Sequence, residues 1–269
     1  LQHTMNSVLQ PANMCNLPPW EIVSRAYNEN PTPLSIQGIR AAHRHFFAKL
    51  DRQDTWSERA QTYEDYMEVA FHLNQWRKEK DPSGHLSLKN SYLRFLRGWL
   101  YDSNSAEGAV MKGWVESRLG IPPTFHRVPV PDRKSQAYLD YMHDRLNAAA
   151  RTNAIYSQLD LLYEFMQYEL SRRDAEQTHM TLYRGVYDFA EQTIIEQPGN
   201  SHAALQLNNL NSFTHDFERA WEFGTIVLEV QVPLSKIFFD GTFLHAGILT
   251  GEGEVLVIGG EFDVTLRRY

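Results

Sequence analysis

The sequence predicts an α+β protein in which a helical N-terminal region feeds a compact β-rich half. Two observations carry this reading. Up to about residue 175, apolar residues recur at three- and four-residue spacing, the period of a helix buried along one face. Beyond residue 178 the apolar runs shorten, become rich in Val, Ile, Phe, Tyr and Thr, and are bounded by Gly, Pro, Asn or Asp, as strands are. The 269 residues suffice for one large domain or two modest ones. The expected division places a helical region and Pro-rich connector in residues 1–133 and the second unit in residues 134–269.

The helices follow in order. "IQGIRAAHRHFFAKL" (36–50) places Ile36, Ile39, His43, Phe46, Phe47 and Leu50 on one stripe. "WSERAQTYEDYMEVAFHLNQWRKE" (56–79) follows, with Asp54 as candidate N-cap and Asp81-Pro82-Ser83-Gly84 as its stop. "LKNSYLRFLRGWLY" (88–101) and "AEGAVMKGWVESRLG" (106–120) read as two more, the second ending at Gly120 ahead of Pro122-Pro123. After the connector (121–133), residues 135–173 are helical again, with a break expected near Thr152-Asn153. Strands are then predicted over 178–185, 205–214, 225–233, 236–239, 254–260 and 262–269, with a short helix at 215–224.

Composition narrows the function classes. Apolar residues make up 42% and charged residues 22% of the chain, as in a soluble globular protein. A formal charge of −7 argues against a nucleic-acid partner, because neutralising phosphates requires clustered Lys and Arg. The single cysteine, Cys15, permits neither an intrachain disulfide nor a thiolate zinc site. The 11 histidines show no His-Glu-x-x-His or comparable spacing, so no metal is expected. No apolar run approaches the roughly 20 residues of a spanning helix. "LQHTMNSVLQ" lacks the pattern of a signal peptide. Met5 is the expected native start and the cytoplasm the expected compartment.

Three short segments carry candidate chemistry. In "GEGEVLVIGG" (251–260), Glu252 and Glu254 are two apart, so in an extended chain both carboxylates face one side, about 7 Å apart. Glu254 shares its face with Leu256 and Ile258, at the border of an apolar layer where burial can tune its pKa. The plain alternative is a solvated turn. In "TLYRGV", Arg184 ends a strand with a planar fork suited to phosphate oxygens, and Gly185 permits close approach of a ligand. The plain alternative is a surface Arg before a turn. In "NSFTHDFERAWEFG", Ser212 and Thr214 share a strand face. A serine beside a carboxylate can hold it in one rotamer. Alternatively the segment is a half-buried strand whose Thr214 or Asp216 caps the next helix.

The order and spacing of these elements are more specific than any one of them. Arg on an early strand, Ser-x-Thr running into a helix that ends Ala-x-x-Phe-Gly, and Glu-x-Glu opening an apolar strand resemble the Arg–Ser–Glu class of mono-ADP-ribosyltransferases. A closer resemblance spans nearly the whole chain from residue 15. "CNLPPWEIVSRAYNENPTPLSIQGIR", "NSYLRFLRGW", "SNSAEGAVMKGWVESRLGIPPTFHR" and "NNLNSFT" are similar to the dinitrogenase reductase ADP-ribosyltransferase family. One departure from the broad class is Ser-Phe-Thr where Ser-Thr-Ser is usual.

The resemblance implies a β-sandwich-like ADP-ribosyltransferase core within residues 134–269 and NAD as a consumed substrate. It implies that Glu254 stabilises the positive charge developing on the ribose as nicotinamide leaves, that Ser212 orients Glu254, and that Arg184 pairs with the pyrophosphate. Gly185 would hold the nicotinamide carboxamide through its backbone, and Thr214 would line the cofactor site. Phe213 either flanks the cofactor or belongs to the core, and the nicotinamide-stacking aromatic is Phe213, Trp221 or Phe223. Glu-x-Glu goes with an arginine acceptor, which Glu252 would align and deprotonate. The implied target is dinitrogenase reductase, whose modification would reversibly switch off nitrogen fixation. The helical region is expected to recognise that target or a nitrogen-signalling PII protein, on the strength of its aromatics. Two rival readings are a glycosidase, which shares paired carboxylates, and a non-catalytic interaction protein on a degenerate transferase fold. Turnover of NAD but not of glycosides separates the first, and NAD binding the second.

Overall fold

A computed structural model of the chain describes residues 13–73, 91–149, 154–173, 176–244 and 253–268. The α+β class is borne out, with helices preceding an antiparallel sheet. Two short helices, α1 (Pro19–Ile22) and α2 (Arg25–Glu29), come first. The stripe predicted over 36–50 is two helices, α3 (Ile39–Ala42) and α4 (Arg44–Leu50). They break at His43, whose backbone (φ −105°, ψ 25°) leaves the helical region and whose Nδ1 hydrogen-bonds the Tyr66 hydroxyl. Helix α5 (Trp56–Ala70) starts where expected, but its N-cap is Thr55 rather than Asp54, because Thr55 and Glu58 form a capping box. The part of the predicted helix beyond residue 73 lies outside the described residues.

Helix α6 (Tyr92–Tyr101) begins after its N-cap Ser91, later than the predicted 88, of which residues 88–90 lie outside the described residues; α7 (Ala106–Leu119) matches its prediction, with Ser105 as N-cap and Gly120 as a left-handed C-cap. The connector contains a two-residue ladder between β1 (Phe125–His126) and β2 (Val128–Pro129). Helices α8 (Gln136–Ala149) and α9 (Ala154–Arg173) follow. The break expected at Thr152-Asn153 falls outside the described residues, between them. Among the described residues no helix is long and apolar enough to cross a membrane.

Six strands form one antiparallel sheet: β3 (His179–Val186), β4 (Thr193–Glu196), β5 (His202–Thr214), β6 (Ile226–Pro233), β7 (Ile237–Asp240) and β8 (Glu254–Arg268). Its ladders close on themselves. β5 pairs with β8 along most of its length, β8 with β6 at residues 265–268, β6 with β3, and β3 returns to β5 at Tyr183–Thr214. Where the resemblance implied a sandwich-like core, the described strands form this one sheet. Strand β4 escaped prediction because it is an edge strand exposed at every residue and so shows no alternation. The two strands predicted over 254–269 are one strand through Gly259-Gly260. A Cβ at Gly259 would run into the Asn208 carbonyl, where β5 bulges between Leu207 and Leu210. The glycine answers close backbone approach rather than a turn.

That bulge joins the helices to the sheet. Asn209 Nδ2 donates to the carbonyls of Lys112 and Ile121, each at 2.9 Å. Asn208 accepts from the Thr124 amide at 3.0 Å and donates to the Phe125 carbonyl at 2.8 Å. One apolar cluster runs from Ile22, Tyr63 and Trp114 through to Phe238, Val257 and Phe262. The aromatics that suggested a recognition surface are part of this packing. Phe46 stacks on Tyr66, and the fully buried Tyr63 stacks on Phe165.

Helix α9 is buried around most of its circumference, yet carries Asp160, Glu164 and Glu169 inside. Each has a cationic partner from an earlier helical segment. Arg118 grips both oxygens of Asp160 at 2.7 and 2.9 Å, Arg40 meets Glu164 at 2.6 Å, and Arg59 grips Glu169 at 2.6 and 2.9 Å. Removing one partner of a buried pair leaves an uncompensated charge. Glu169→Ala should therefore lower the unfolding free energy by about 3–5 kcal/mol. Arg25→Ala, which removes an exposed contact with Asp263, should cost about 0–1 kcal/mol. Urea denaturation of the two variants measures both, and equal small losses would contradict the role assigned to the buried pair.

Candidate functional site

Strands β3, β5 and β8 converge with the C-terminal end of α6 and helix α10 (Phe217–Trp221) around a cavity of about 500 Å³. Arg184, Gly185, Ser212, Phe213, Thr214 and Glu254 all border it. The ring of ladders accounts for their meeting. The Tyr183–Thr214 pair sets Arg184 beside Ser212, and the Thr214–Glu254 pair sets the carboxylate at the end of the same strand face. Glu252 lies outside the described residues.

Arg184 is held from two sides. Nη1 donates to the Ser212 carbonyl at 2.9 Å and Nη2 to Glu191 Oε2 at 3.0 Å. Its Nε is buried without a hydrogen-bond partner. An unsatisfied buried donor is costly, and this one adjoins a cavity.

Gly185 lies where β3 passes the end of α10. A Cβ there would collide with the Ala220 carbonyl, and a Cβ at Gly224 would collide with the Val186 backbone. The Ala-x-x-Phe-Gly spacing thus records two backbones in contact. This wall of the cavity is built from main chain.

Thr214 and Asp216 share the capping work. Asp216 Oδ1 accepts from the amides of Glu218 and Arg219 at 2.9 and 3.3 Å, and Thr214 Oγ1 accepts from the Asp216 amide at 3.1 Å. Phe213 is part of the apolar core at 3% exposure while also bordering the cavity. Phe223 is 58% exposed at the rim, whereas Trp221 packs edge-on against Phe217 and is not in the lining.

Glu254 is mostly enclosed. Burial pushes its carboxyl above the usual value, because a low-dielectric site disfavours the charged form. Hydrogen bonding from Ser212, the charge of Arg184, hydrogen bonding from Trp99 and the charge of Arg219 draw it back down. The result is a carboxylate that ionises reluctantly and is surrounded by groups that reward ionisation.

Sequence reasoning missed several residues at this site. Trp99, Tyr101, Asp102 and Ser103 border the cavity from the helical region, and Arg219 borders it from α10. Trp99 Nε1 donates to Ser212 Oγ at 2.9 Å. The segment "NSYLRFLRGW" carried a family resemblance and read as a helix, but nothing in it singled out Trp99, whose ring is buried at 2% exposure.

A family model described as dinitrogenase reductase ADP-ribosyltransferase matches residues 12–266. The chain is 40% identical over 256 residues to NAD(+)–dinitrogen-reductase ADP-D-ribosyltransferase of Rhodospirillum rubrum, covering 94% of this chain and 93% of that protein. No solved structure gives a significant match.

Ser212→Ala removes a donor that favours the ionised carboxylate of Glu254. The Glu254 carboxyl should then titrate at higher pH than in the native chain. ¹³C NMR of side-chain-labelled glutamate, assigned with Glu254→Gln, measures this. A midpoint that stayed or fell would contradict the contact.

Proposed function

The chain belongs to the dinitrogenase reductase ADP-ribosyltransferase family, and from that premise we propose that it transfers ADP-ribose from NAD to an arginine of dinitrogenase reductase, the iron protein of nitrogenase. Its action reversibly switches off nitrogen fixation. The observation that carries the assignment of the site is the meeting of Arg184, Ser212 and Glu254 at one cavity. The residues suit NAD. The Arg184 Nε is a donor in need of an acceptor, as a diphosphate would supply. Gly185 borders the same cavity, where its backbone amide and carbonyl can meet a carboxamide.

In this reading NAD is the substrate, and the glycosidic bond from its ribose to nicotinamide is broken. The electron pair of that bond leaves with nicotinamide, and the ribose carbon becomes electron-poor. Glu254, ionised and shielded from water, stabilises the developing positive charge more strongly than a solvated carboxylate would. Ser212 keeps Glu254 in one orientation. Arg184 anchors the diphosphate, exchanging its contact with Glu191 for a phosphate oxygen. Gly185 holds the carboxamide through its backbone, Thr214 shapes the strand end beneath it, and the rim residue Phe223 is the aromatic placed to stack on the ring.

A new bond then forms from the ribose carbon to an arginine nitrogen of the target. A guanidinium is always protonated and a poor nucleophile, so a base must accept its proton. Glu252 is proposed for that step, and for aligning the guanidinium.

Glu254→Gln should therefore lower both protein modification and NAD hydrolysis by about a hundredfold or more. Glu252→Gln should lose modification while keeping hydrolysis. Labelled NAD mixed with dinitrogenase reductase and each variant reads both activities, and equal loss in the two variants would overturn the division of labour.

The helical region of residues 1–133 is proposed as the recognition unit for dinitrogenase reductase or a PII nitrogen-signalling protein, acting in the cytoplasm. Trp20 and Val69, 64% and 72% exposed, are surface apolar groups of the kind that anchor partners. Trp20→Ala combined with Val69→Ser should weaken target modification or PII binding at least tenfold. Unchanged values for both partners would remove this support.

A further inference from the structure

The transferase reading leaves one buried contact without a task. Trp99, near the end of α6, belongs to the helical region, yet its indole N–H reaches across to Ser212 on β5 at 2.9 Å. An indole nitrogen can only donate. The Ser212 oxygen must therefore accept from Trp99, which leaves the single hydroxyl proton of Ser212 to be donated elsewhere. The neighbouring Glu254 carboxylate is the acceptor on that side.

We propose that Trp99 is a positioning residue for the transferase reaction. By occupying a lone pair of the Ser212 oxygen it commits the hydroxyl proton to Glu254, so the orientation of the carboxylate depends on a side chain from the helical region. This rests on the assignment of Ser212 and Glu254 to the reaction.

The setting of Trp99 is built to hold one geometry. The residue is 2% exposed and lies in the apolar core. Lys112 on α7, its amine pushed down to about 7 by burial, places Nζ 5.9 Å from the ring, where the protonated form is attracted to the indole face. Asn104 and the Phe125 carbonyl hold that ammonium at 2.9 and 3.0 Å. Arg94 on α6 pairs with Glu107 on α7 at 2.7 Å, and Gly98 brings the Glu107 side chain against α6. The turn that carries Trp99 is thus clamped to α7, and α7 to the β5 bulge through Asn209.

The groups that face Glu254 come from four elements: Ser212 on β5, Arg184 on β3, Arg219 on α10 and Trp99 on α6. Lys112, whose amine burial pushes down to about 7, lies beneath Trp99, while Asp102 and Glu191 add negative charge near the same cavity and draw it back up. Only Ser212 and Trp99 among the first four are uncharged donors, and Trp99 acts both through Ser212 and on Glu254 itself. Loss of Trp99 leaves the Ser212 hydroxyl free to rotate away. The Glu254 carboxylate then loses its fixed donor, and the ionised form becomes harder to reach.

Trp99→Phe keeps the ring and removes the donor. The expected result is a fall in kcat for NAD hydrolysis of about three- to tenfold, with KM for NAD within about twofold. The acid limb of the kcat/KM profile should shift to higher pH, because a group that favours ionised Glu254 is gone. In combination with Ser212→Ala the loss should be smaller than the product of the two single losses, since the two share the Ser212 contact. A structural role would lower activity without moving the pH limb. β-(3-Benzothienyl)alanine at position 99 replaces the indole N–H by sulfur at nearly constant shape, and should reproduce the effect even if Trp99→Phe folds poorly.

A folded variant with unchanged kcat and pH limb would overturn the proposal, as would additive losses in the double variant. If Ser212→Ala and Glu254→Gln themselves left transfer intact, the assignment of the site would fail first. Impaired Ser212→Ala beside a fully active Trp99 variant would overturn the role of Trp99 alone.

Discussion

The architecture depends on helix α9 being buried together with its charges. A helix enclosed on most sides by apolar neighbours is expected to be apolar itself, and α9 is not. Asp160, Glu164 and Glu169 are tolerable inside only because Arg118, Arg40 and Arg59 arrive from three separate earlier segments. Such pairs repay their desolvation incompletely, so they add less stability than apolar residues of the same size would. What they impose is register. A helix slid by one turn along α9 would leave a carboxylate unpaired in the core, and that error costs several kcal/mol. Phe238 of β7 packs against Trp114 and Tyr163, so the alignment fixed by α9 passes directly into the sheet.

From there the constraint reaches the cavity that Arg184, Ser212 and Glu254 border. The Asn208–Asn209 bulge seats the end of α7 on β5 only a few residues before Ser212, and α6 contributes Trp99 to the Ser212 hydroxyl. The sheet alone brings Arg184, Ser212 and Glu254 near one another through its ladder pairings. The helices decide how the hydroxyl among them is turned. The site is therefore composite: charge and backbone come from strands β3, β5 and β8, and orientation comes from the helical region.

The parts of this design that were legible in the sequence are those with local signatures. Ser105 and Gly120 bracket α7 as its capping chemistry requires, and strands β3, β5 and β6 alternate or run apolar between breakers. The meeting of Arg184, Ser212 and Glu254 at one cavity was legible because the close approach of β3 and α10 leaves fixed spacings around it, such as the glycine after Arg184 and the Ala220–Gly224 interval. What escaped was set by tertiary contact. The break at His43 needs Tyr66 to be understood. The double glycine of β8 looks like a turn until Asn208 is seen pressed against it, and β4 has no pattern because nothing covers it. Trp99 escaped for a further reason. A tryptophan on an apolar stripe packs its ring like any core residue, and a single polar atom on that ring leaves no trace in periodicity.

The long strand β8 has a consequence for the order in which the molecule is made. It comes last of the described strands, yet β7 pairs only with it, β5 spends most of its length against it, and Glu254 is its first residue. During synthesis, at about 5–20 residues per second, the helices and the first strands emerge with the ring still open. A nascent chain stopped before residue 254 holds Arg184 and Ser212 but lacks Glu254. The cavity that these three residues border is thus completed only with the last stretch of described sheet to be translated.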